Sequence, residues 1–481
     1  MPVTTLPTYA RMTTPATAIP AAADTSFGNI PKDDKRITRG WTFYDWANSV
    51  YPLVITSSIF PIYWGAMVKQ ITRTDSGKSP IEFLGFQVPG SSLLTYAISA
   101  AFLFIAIISP FLTSLADFSG RKKLFMQIFC YLGAFSCAAL FFFTPDTLTL
   151  STFVFVLATI GFSGSIVFYN SYLPLISSEE KYDSLSARGF SMGYIGSVLL
   201  LLICLGLIMG HAAIGLEEGF ATRLAFLLTG IWWAGFAQIA FFALPADPGR
   251  APGAASADDS GWLLNGFREL GKVWDQLKQL PNLKRFLLAY FTYNMGVQTV
   301  MYVATIFGDE ELKLESSALI MTILLLQLVG ILGAYLFSKL SERIGNTRAL
   351  SWAVFIWMLI CIGGYFVQAG WSFYALAAVI GLTMGAVQSL SRSTYSKIIP
   401  ENTPNTAAFF SFFDVTEKLS IVIGTAVFGV IAQVTGSMRN SILSLIVFFV
   451  LGLIFLLRLR GRKLRDEPQE AAAAGAASAN R

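Results

Sequence analysis

Charged and polar side chains lie within long apolar stretches of the sequence, where hydrocarbon alone would not accept them. The first such stretch is FYDWANSVYPLVITSSIFPIYW, residues 43–64. Steps of three and four would place its polar residues on one face of a helix: Asp45, Asn48, Ser49, Pro52 and Thr56. An ionised carboxylate in such a helix needs water, a proton or a cationic partner. We therefore predict that Asp45 and Asn48 line a polar path.

Two further stretches of this kind lie near the C-terminus. In QSLSRSTYSKIIPE (388–401) Gln388 and Arg392 share a helical face, and in SFFDVTEKLSIVIG (411–424) Asp414, Glu417 and Lys418 share another. Two acids and two bases can neutralise one another, which makes burial tolerable. We predict that these five residues join Asp45 in a central set, together with Tyr169, Asn170 and Arg188 near the ends of two other apolar stretches.

Each of these residues also has a purely structural interpretation. Asp45 could anchor its helix at the membrane interface, exchange protons, or form a gate latch with Arg188 or Arg392, and the charged residues of the last two stretches could form a structural ion network. Asn170 and Gln388 are expected to be structural hydrogen-bonding groups.

Enzymatic and metal chemistry is not predicted. The chain has one histidine and four cysteines, without Cys/His clusters at metal-binding spacing, and it has no Gly-x-x-x-x-Gly-Lys-Ser/Thr phosphate loop. No cofactor is expected.

The composition indicates an integral membrane protein. Of the 481 residues 54% are hydrophobic and 13% are charged, against about 25% charged in soluble domains. With about 20 residues per span, we predict an all-α, polytopic protein with twelve transmembrane helices, spans 1 to 12. They lie at 43–66, 91–115, 124–143, 149–173, 186–210, 223–244, 285–306, 317–339, 348–368, 372–396, 406–433 and 438–458.

The basic residues predict the orientation, because Lys and Arg collect on the cytoplasmic side. Of the 34 Lys and Arg, only six fall in the odd-numbered loops: Lys69, Arg73, Lys78, Arg223, Lys313 and Arg439. Both termini are therefore predicted to be cytoplasmic. The net charge of +5 follows from this topology, and no nucleic-acid partner is expected.

Five segments are predicted along the chain. Residues 1–39 and 461–481 are expected to be disordered cytoplasmic ends, and 40–244 and 285–460 to form two six-helix bundles. The linker 245–284 contains GWLLNGFRELGKVWDQLKQL (261–280), an amphipathic helix suited to the inner leaflet, with a regulatory role as the alternative.

An internal repeat relates the two bundles. TSLADFSGRKK (113–123) and SKLSERIGNTR (338–348) align so that Asp117 meets Glu342, Gly120 meets Gly345, and Lys123 meets Arg348. Each segment follows the second span of its half. Two six-helix halves in parallel duplication account for this spacing.

These segments carry a resemblance to a known family. The 113–123 loop resembles the signature Gly-x-x-x-Asp-x-x-Gly-Arg-Lys of the major facilitator superfamily, with Thr113 in place of the leading Gly. YDWANSVY (44–51), FYNSYLP (168–174), GFSMGYIGS (189–197) and YNMGVQT (293–299) resemble the autophagy-related vacuolar effluxers, a branch of that superfamily. In one departure, Met295 stands where the family pattern has an acidic residue.

The resemblance implies a major facilitator fold in which the first helix of each half lines a central cavity. It also implies that the repeated loops form a cytoplasmic gate: Asp117, Gly120, Arg121, Glu342, Gly345 and Arg348. The implied function is a secondary transporter of a small polar solute, with amino-acid export first and proton coupling as an option. The alternatives are transport of a peptide or sugar, or a non-transporting receptor or scaffold on the same fold. A monomer in the inner cell membrane is expected, with a small-molecule substrate and the lipid bilayer as partners.

Overall fold

The computed structural model describes residues 30–73, 80–246, 262–368, 370–401 and 403–459. Within these ranges twelve long helices follow the order of the predicted spans, whose numbers they keep. Spans 1 to 6 are Lys35–Thr72, Gly90–Ser119, Lys122–Ala139, Leu148–Ser171, Tyr182–Met209 and Glu218–Ala243. Spans 7 to 12 are Pro281–Glu310, Ser316–Ile344, Asn346–Phe366, Trp371–Ile398, Thr406–Thr435 and Met438–Leu457.

Further elements lie between the spans. The linker helix, Trp262–Gln279, precedes span 7, and single helical turns occur at Leu140–Phe142, Pro145–Thr147, Leu173–Ile176, Glu179–Lys181 and His211–Ile214. An unpredicted β-hairpin pairs Pro80–Phe83 with Phe86–Pro89 in the loop after span 1. The predicted disordered ends lie mostly outside the described residues, which leave out 1–29 and 460–481.

Eleven of the spans are long and apolar enough to cross a membrane. Span 7, the twelfth long helix of the described part, is less apolar because polar side chains occupy its middle: Thr292, Asn294, Gln298 and Thr299. The prediction of an all-helical, twelve-span protein is consistent with this architecture.

Span 1 begins earlier than the predicted bundle boundary at residue 40. Oδ1 of Asp34 accepts hydrogen bonds from the backbone N–H groups of Arg36 at 2.8 Å and Ile37 at 3.0 Å, and so caps a helix that begins at Lys35. In mid-span, Tyr51–Ile59 winds as a π-helix, and Pro52 at its start has no N–H to donate.

The helix contacts repeat between the halves. Spans 1 and 5, 1 and 6, 2 and 4, 3 and 4, and 3 and 6 pack together, and spans 7 and 11, 7 and 12, 8 and 10, 9 and 10, and 9 and 12 pack in the same way. Each half has its own apolar core, with Trp41 and Trp233 fully buried in the first and Trp357 in the second. This correspondence is what a duplicated six-helix unit produces.

Spans 2, 4 and 5 of the first half pack against spans 8, 10 and 11 of the second. The end of the bundle at which span 1 begins, here called the basic end, carries the loops after spans 2, 4, 8 and 10. The linker helix packs against both halves, on spans 2 and 11: the ring centres of Phe267 and Phe111 are 4.5 Å apart, and those of Trp274 and Phe412 are 5.7 Å apart. Trp274 is nevertheless about half exposed.

Candidate functional site

Asp45 lies in a buried cluster that joins the two halves. Its Oδ2 accepts hydrogen bonds from the Tyr169 hydroxyl at 2.6 Å and from both terminal nitrogens of Arg392, each at 3.3 Å. Asp45 is 4% exposed and Arg392 is 3% exposed. Since span 1 and span 10 belong to different halves, this ion pair crosses the interface between them. Removing one partner would leave an uncompensated buried charge.

The guanidinium of Arg392 is held from several sides. Nε and Nη2 donate to the hydroxyl and the carbonyl oxygen of Ser186, each at 2.9 Å, and Nη1 donates to Oδ1 of Asn170 at 3.3 Å. The guanidinium also lies over three aromatic rings, at 4.2 Å from the centre of Phe190, 4.7 Å from Trp41 and 5.5 Å from Tyr169. Such contacts are strongest when the cation is desolvated. Every hydrogen-bonding partner named here belongs to the first half.

Two glycines allow span 5 to approach span 1 at this cluster. A Cβ at Gly189 would collide with Oδ2 of Asp45, and one at Gly193 would collide with the side chain of Ser49. Residues 189–193, GFSMG, match the letters of the Gly-x-Ser-x-Gly nucleophile pattern of hydrolases. They lie inside the continuous helix Tyr182–Met209, whereas that pattern requires a turn between a strand and a helix. These glycines therefore serve helix packing.

Asn48 and Gln388 form separate contacts. Asn48 is buried, its Oδ1 accepts from the Ser49 hydroxyl at 3.4 Å, and its amide nitrogen has no hydrogen-bond partner among the described residues. Oε1 of Gln388 accepts from the Tyr194 hydroxyl at 2.5 Å, which adds to the polar links between spans 5 and 10.

Buried Asp414 and Lys418 and partly exposed Glu417 form a second charge cluster, on span 11. Nζ of Lys418 lies 3.1 Å from Oδ1 of Asp414 and 3.8 Å from Oε2 of Glu417. Oε1 of Glu417 accepts from Nε2 of Gln298 in span 7 at 3.1 Å. Within the described ranges neither oxygen of Asp414 has a partner in hydrogen-bonding geometry, so the ion pair with Lys418 is its compensation. The cluster thus holds two carboxylates for one ammonium.

The sequence prediction treated Arg392 and these three residues as one set. The structure places them in two clusters, because Arg392 pairs with Asp45 of the opposite half. Met295, where the family pattern has an acid, is buried with its backbone against Gly424 of span 11.

At the basic end, the last turn of span 2 caps the start of span 11. The Asp117 carboxylate accepts from the backbone N–H groups of Ala407 at 3.3 Å and Ala408 at 2.8 Å. Buried Lys122 lies 2.9 Å from the same carboxylate and donates to the Thr406 hydroxyl at 2.8 Å. A helix N-terminus carries partial positive charge, which favours an anion there. Asp117 therefore contributes a contact between the halves.

A second acid makes a comparable contact from the start of span 5. Asp183 accepts from the Ser341 hydroxyl at 2.9 Å, the Asn346 amide at 2.6 Å and Nζ of Lys397 at 2.7 Å. These donors lie at the end of span 8, the start of span 9 and the end of span 10. Sequence analysis did not select Asp183, since an acid in the first turn of a helix is ordinarily read as a response to the helix dipole.

The remaining predicted residues lie outside these clusters. Three arginines are exposed: Arg121, Arg188 and Arg348. Glu342 is exposed and pairs with Lys339 at 3.0 Å. The repeat made Glu342 the counterpart of Asp117, but the acid that joins the halves at the end of span 8 is Asp183. Gly120 and Gly345 end spans 2 and 8 with φ of 63° and 88°, conformations that favour glycine. Across the described ranges, His, Cys, Asp and Glu form no group of three that could hold a metal ion.

Solved structures share this architecture. The proton:xylose symporter XylE, a major facilitator superfamily protein, matches with a TM-score of 0.64 and 12% identity, over 89% of this chain and 96% of its own. The human organic anion transporter MFSD10 matches with a TM-score of 0.62 and 14% identity, over 88% of this chain and 99% of its own. At these identities the likeness shows the fold, which is that of major facilitator transporters.

Sequence comparisons show the family. The model of the Atg22-like vacuole effluxers matches residues 33–469. The MFS-type transporter YxiO of Bacillus subtilis is 31% identical, over 88% of this chain and 95% of its own length, and autophagy-related protein 22-1 of Penicillium rubens is 24% identical, over 90% and 92%. The protein is thus a membrane transporter of the major facilitator type and not an enzyme. It belongs to the Atg22-like vacuole effluxer family, which confirms the resemblance.

Proposed function

We propose that the protein is a secondary transporter that exports a small polar solute, an amino acid in the first instance, by alternating access. The Asp45–Arg392 ion pair carries this proposal, because it is buried and its partners belong to different halves. The basic end can open only if this pair separates. Asp45 and Arg392, with Tyr169 and Asn170 around them, then act as a latch that holds that end closed.

The contacts of Asp117 and Asp183 support the same mechanism. Both acids are buried at the basic end, and both accept hydrogen bonds from donors of the second half. A rocking motion of the halves would break all three contacts together and expose their charged groups to entering water. Because water would solvate these charged groups in place of their lost partners, the energy barrier to opening is lower than the barrier to breaking buried ion pairs in a dry interior.

The span 11 cluster is the proposed site of substrate and coupling ion. An amino acid carries an ammonium and a carboxylate, so its site needs both signs of charge. Asp414 and Glu417 can receive an ammonium group or a proton, while Lys418 can meet a carboxylate. Because the cluster has one more carboxylate than it has basic groups, we propose protons as the coupling ion. The vacuole effluxer description of the family is consistent with export.

The proposed topology has the basic end in the cytoplasm and the protein as a monomer in the inner cell membrane. The N-terminus, the even-numbered loops and the C-terminal tail, which are assigned to that end, together carry 24 of the 34 Lys and Arg residues, as expected of cytoplasmic segments.

Counterflow in liposomes containing the purified protein tests the proposed function. Vesicles preloaded with an unlabelled amino acid should transiently accumulate the labelled one, whereas dipeptides and sugars should give no exchange. If only the dipeptide or only the sugar exchanged, the substrate would be a peptide or a sugar and not an amino acid. No exchange with any of these solutes would favour the receptor or scaffold interpretation.

A further inference from the structure

An exposed basic pocket lies on the first half, away from both charge clusters. It encloses about 690 Å³ between the starts of spans 1 and 5 and the end of span 6. Four cationic side chains and an apolar wall line it: Lys35, Arg36, Arg39, Arg188, Ile239 and Phe242. A second cavity of about 540 Å³ shares Arg39 and Arg188. Arg188 belongs to this pocket and not to the latch.

The four cations lack an acidic partner among the residues that the structure describes. All four are exposed, and none forms an ion pair with a residue that the structure describes. Two acids precede these cations in the chain: Asp33 pairs with Lys181 at 3.2 Å, and Oδ1 of Asp34 is occupied by the backbone N–H groups of Arg36 and Ile37. A concentration of positive charge in a concave site attracts an anion.

The apolar wall of the pocket indicates which kind of anion it would bind. Phe242 is 78% exposed and Ile239 is 40% exposed, next to the cations and in the last turns of span 6. Helix ends of this kind lie where lipid headgroups meet acyl chains, and basic pockets between spans are suited to anionic headgroups. A free phosphate ion would use the cations and leave the wall uncovered, whereas a phospholipid would use both.

We propose that this pocket binds an anionic phospholipid, with the phosphate held by Arg39 and Arg188, Lys35 and Arg36 beside it, and an acyl chain along Ile239 and Phe242. Span 1 and span 6 touch here at Gly40 and Ala243, where a Cβ on Gly40 would collide. The lipid therefore stabilises the junction of these spans. Arg188 also directly precedes Gly189, which contacts the latch.

Thermal unfolding of the purified full-length protein tests the proposal. Phosphatidylglycerol added to the detergent should raise Tm by about 5 °C relative to phosphatidylcholine. The double variant Arg39→Gln, Arg188→Gln should lose most of this rise. The control Arg343→Gln, which removes an exposed cation at the same end of the second half, should retain it. Inorganic phosphate at the same concentration should have no effect.

Three results would overturn the proposal: a full phosphatidylglycerol effect in the double variant, an equal loss in Arg343→Gln, or an equal rise with inorganic phosphate. If the double variant does not fold, lipid retention is instead measured by native mass spectrometry of the parent protein and of two single variants. Retention of phosphatidylglycerol over phosphatidylcholine that Arg188→Lys preserves and Arg188→Gln weakens supports the site. Equal retention of both lipids rejects it.

Discussion

The two charge clusters differ in their relation to the two halves of the protein. Asp45 and Arg392 lie on spans 1 and 10, in different halves. Asp414, Glu417 and Lys418 share span 11, and Gln298, which donates to Glu417, lies on span 7 of the same half. Relative motion of the halves therefore separates the partners of the first cluster and leaves those of the second together.

Under the proposed mechanism, this difference gives the two clusters different roles. A buried ion pair that forms in only one arrangement of the halves stabilises that arrangement, which is what a gate requires. A cluster that stays assembled in both arrangements can keep hold of a solute or a proton while access changes sides. The predictions below separate these roles, from the largest expected effect to the smallest.

Breaking the latch should have the largest effect on stability. Arg392→Gln leaves the Asp45 carboxylate buried without its cation, and we expect a loss of about 3–5 kcal/mol from the closed arrangement. Asp45→Asn combined with Arg392→Gln should recover part of that loss, because no charge is left unpaired. A double-mutant cycle on thermal unfolding measures the coupling. Strictly additive losses would mean that the two residues act independently.

Changes in the span 11 cluster should reduce transport more than stability. Glu417→Gln and Lys418→Met should slow counterflow about tenfold or more while the protein still inserts and folds. In Lys418→Met, buried Asp414 loses its cation and takes up a proton instead. Thr425→Val is the control on the same helix, since within the described ranges the Thr425 hydroxyl donates only to carbonyls of its own helix, those of Ile421 and Val422. Parental counterflow rates in both charge variants would show that this cluster is not the transport site.

The two acids at the basic end should affect the rate of the cycle. Asp117→Asn and Asp183→Asn weaken contacts between the halves, so they should change counterflow rates severalfold and equilibrium substrate binding little. Glu342→Gln is the control, because an exposed pair contributes only about 0–1 kcal/mol. A collapse of substrate binding in either Asp variant would place that acid in the substrate site.

The smallest effect concerns pH and Asp33, which lies outside the spans. Burial acts to raise the pKa of Asp33, but hydrogen bonds from Ser178 and Ser177 and the nearby Lys181 lower it to about 2. The folded-state pKa is thus below the unfolded value, so the stabilisation is complete above about pH 4 and disappears as pH falls through 2. Asp33→Asn should cost less than about 1 kcal/mol at pH 7. Thermal unfolding at several pH values measures this loss, and a loss that grows as the pH falls would contradict it.

The spans and the fold could be predicted from the sequence, because a bilayer requires a long apolar helix for each crossing. The face that carries Asp45 followed from helical periodicity, and the latch was one of its predicted roles. Which arginine pairs with Asp45 depends on how the halves meet, and no local pattern contains that information. Arg392 and Arg188 were equal candidates until the structure placed Arg188 on the surface.

The contacts at the basic end were less predictable. The repeat paired Asp117 with Glu342, yet the second half meets the first through Asp183, which has Ala408 at the corresponding position in the second half. The sequence analysis selected Arg121 for the gate, whereas the structure buries its neighbour Lys122 against Asp117. Which of two adjacent basic residues points inward depends on where the helix begins, and the sequence does not specify that residue. The helix contacts are the same in both halves, but the acids at the corresponding contacts are not. Asp117 lies on span 2 and caps span 11, whereas Asp183 lies on span 5 and accepts from spans 8 and 9.

Spin-label distances across the basic end test the central claim, that the Asp45–Arg392 pair holds this end closed. Labels at Ser119→Cys and Arg343→Cys lie on exposed sites of opposite halves, and the four native cysteines are buried. Asp45→Asn should shift the distance distribution towards longer separations, and Glu417→Gln should leave it as in the parent. A parental distribution in Asp45→Asn, or the same shift in Glu417→Gln, would contradict the latch.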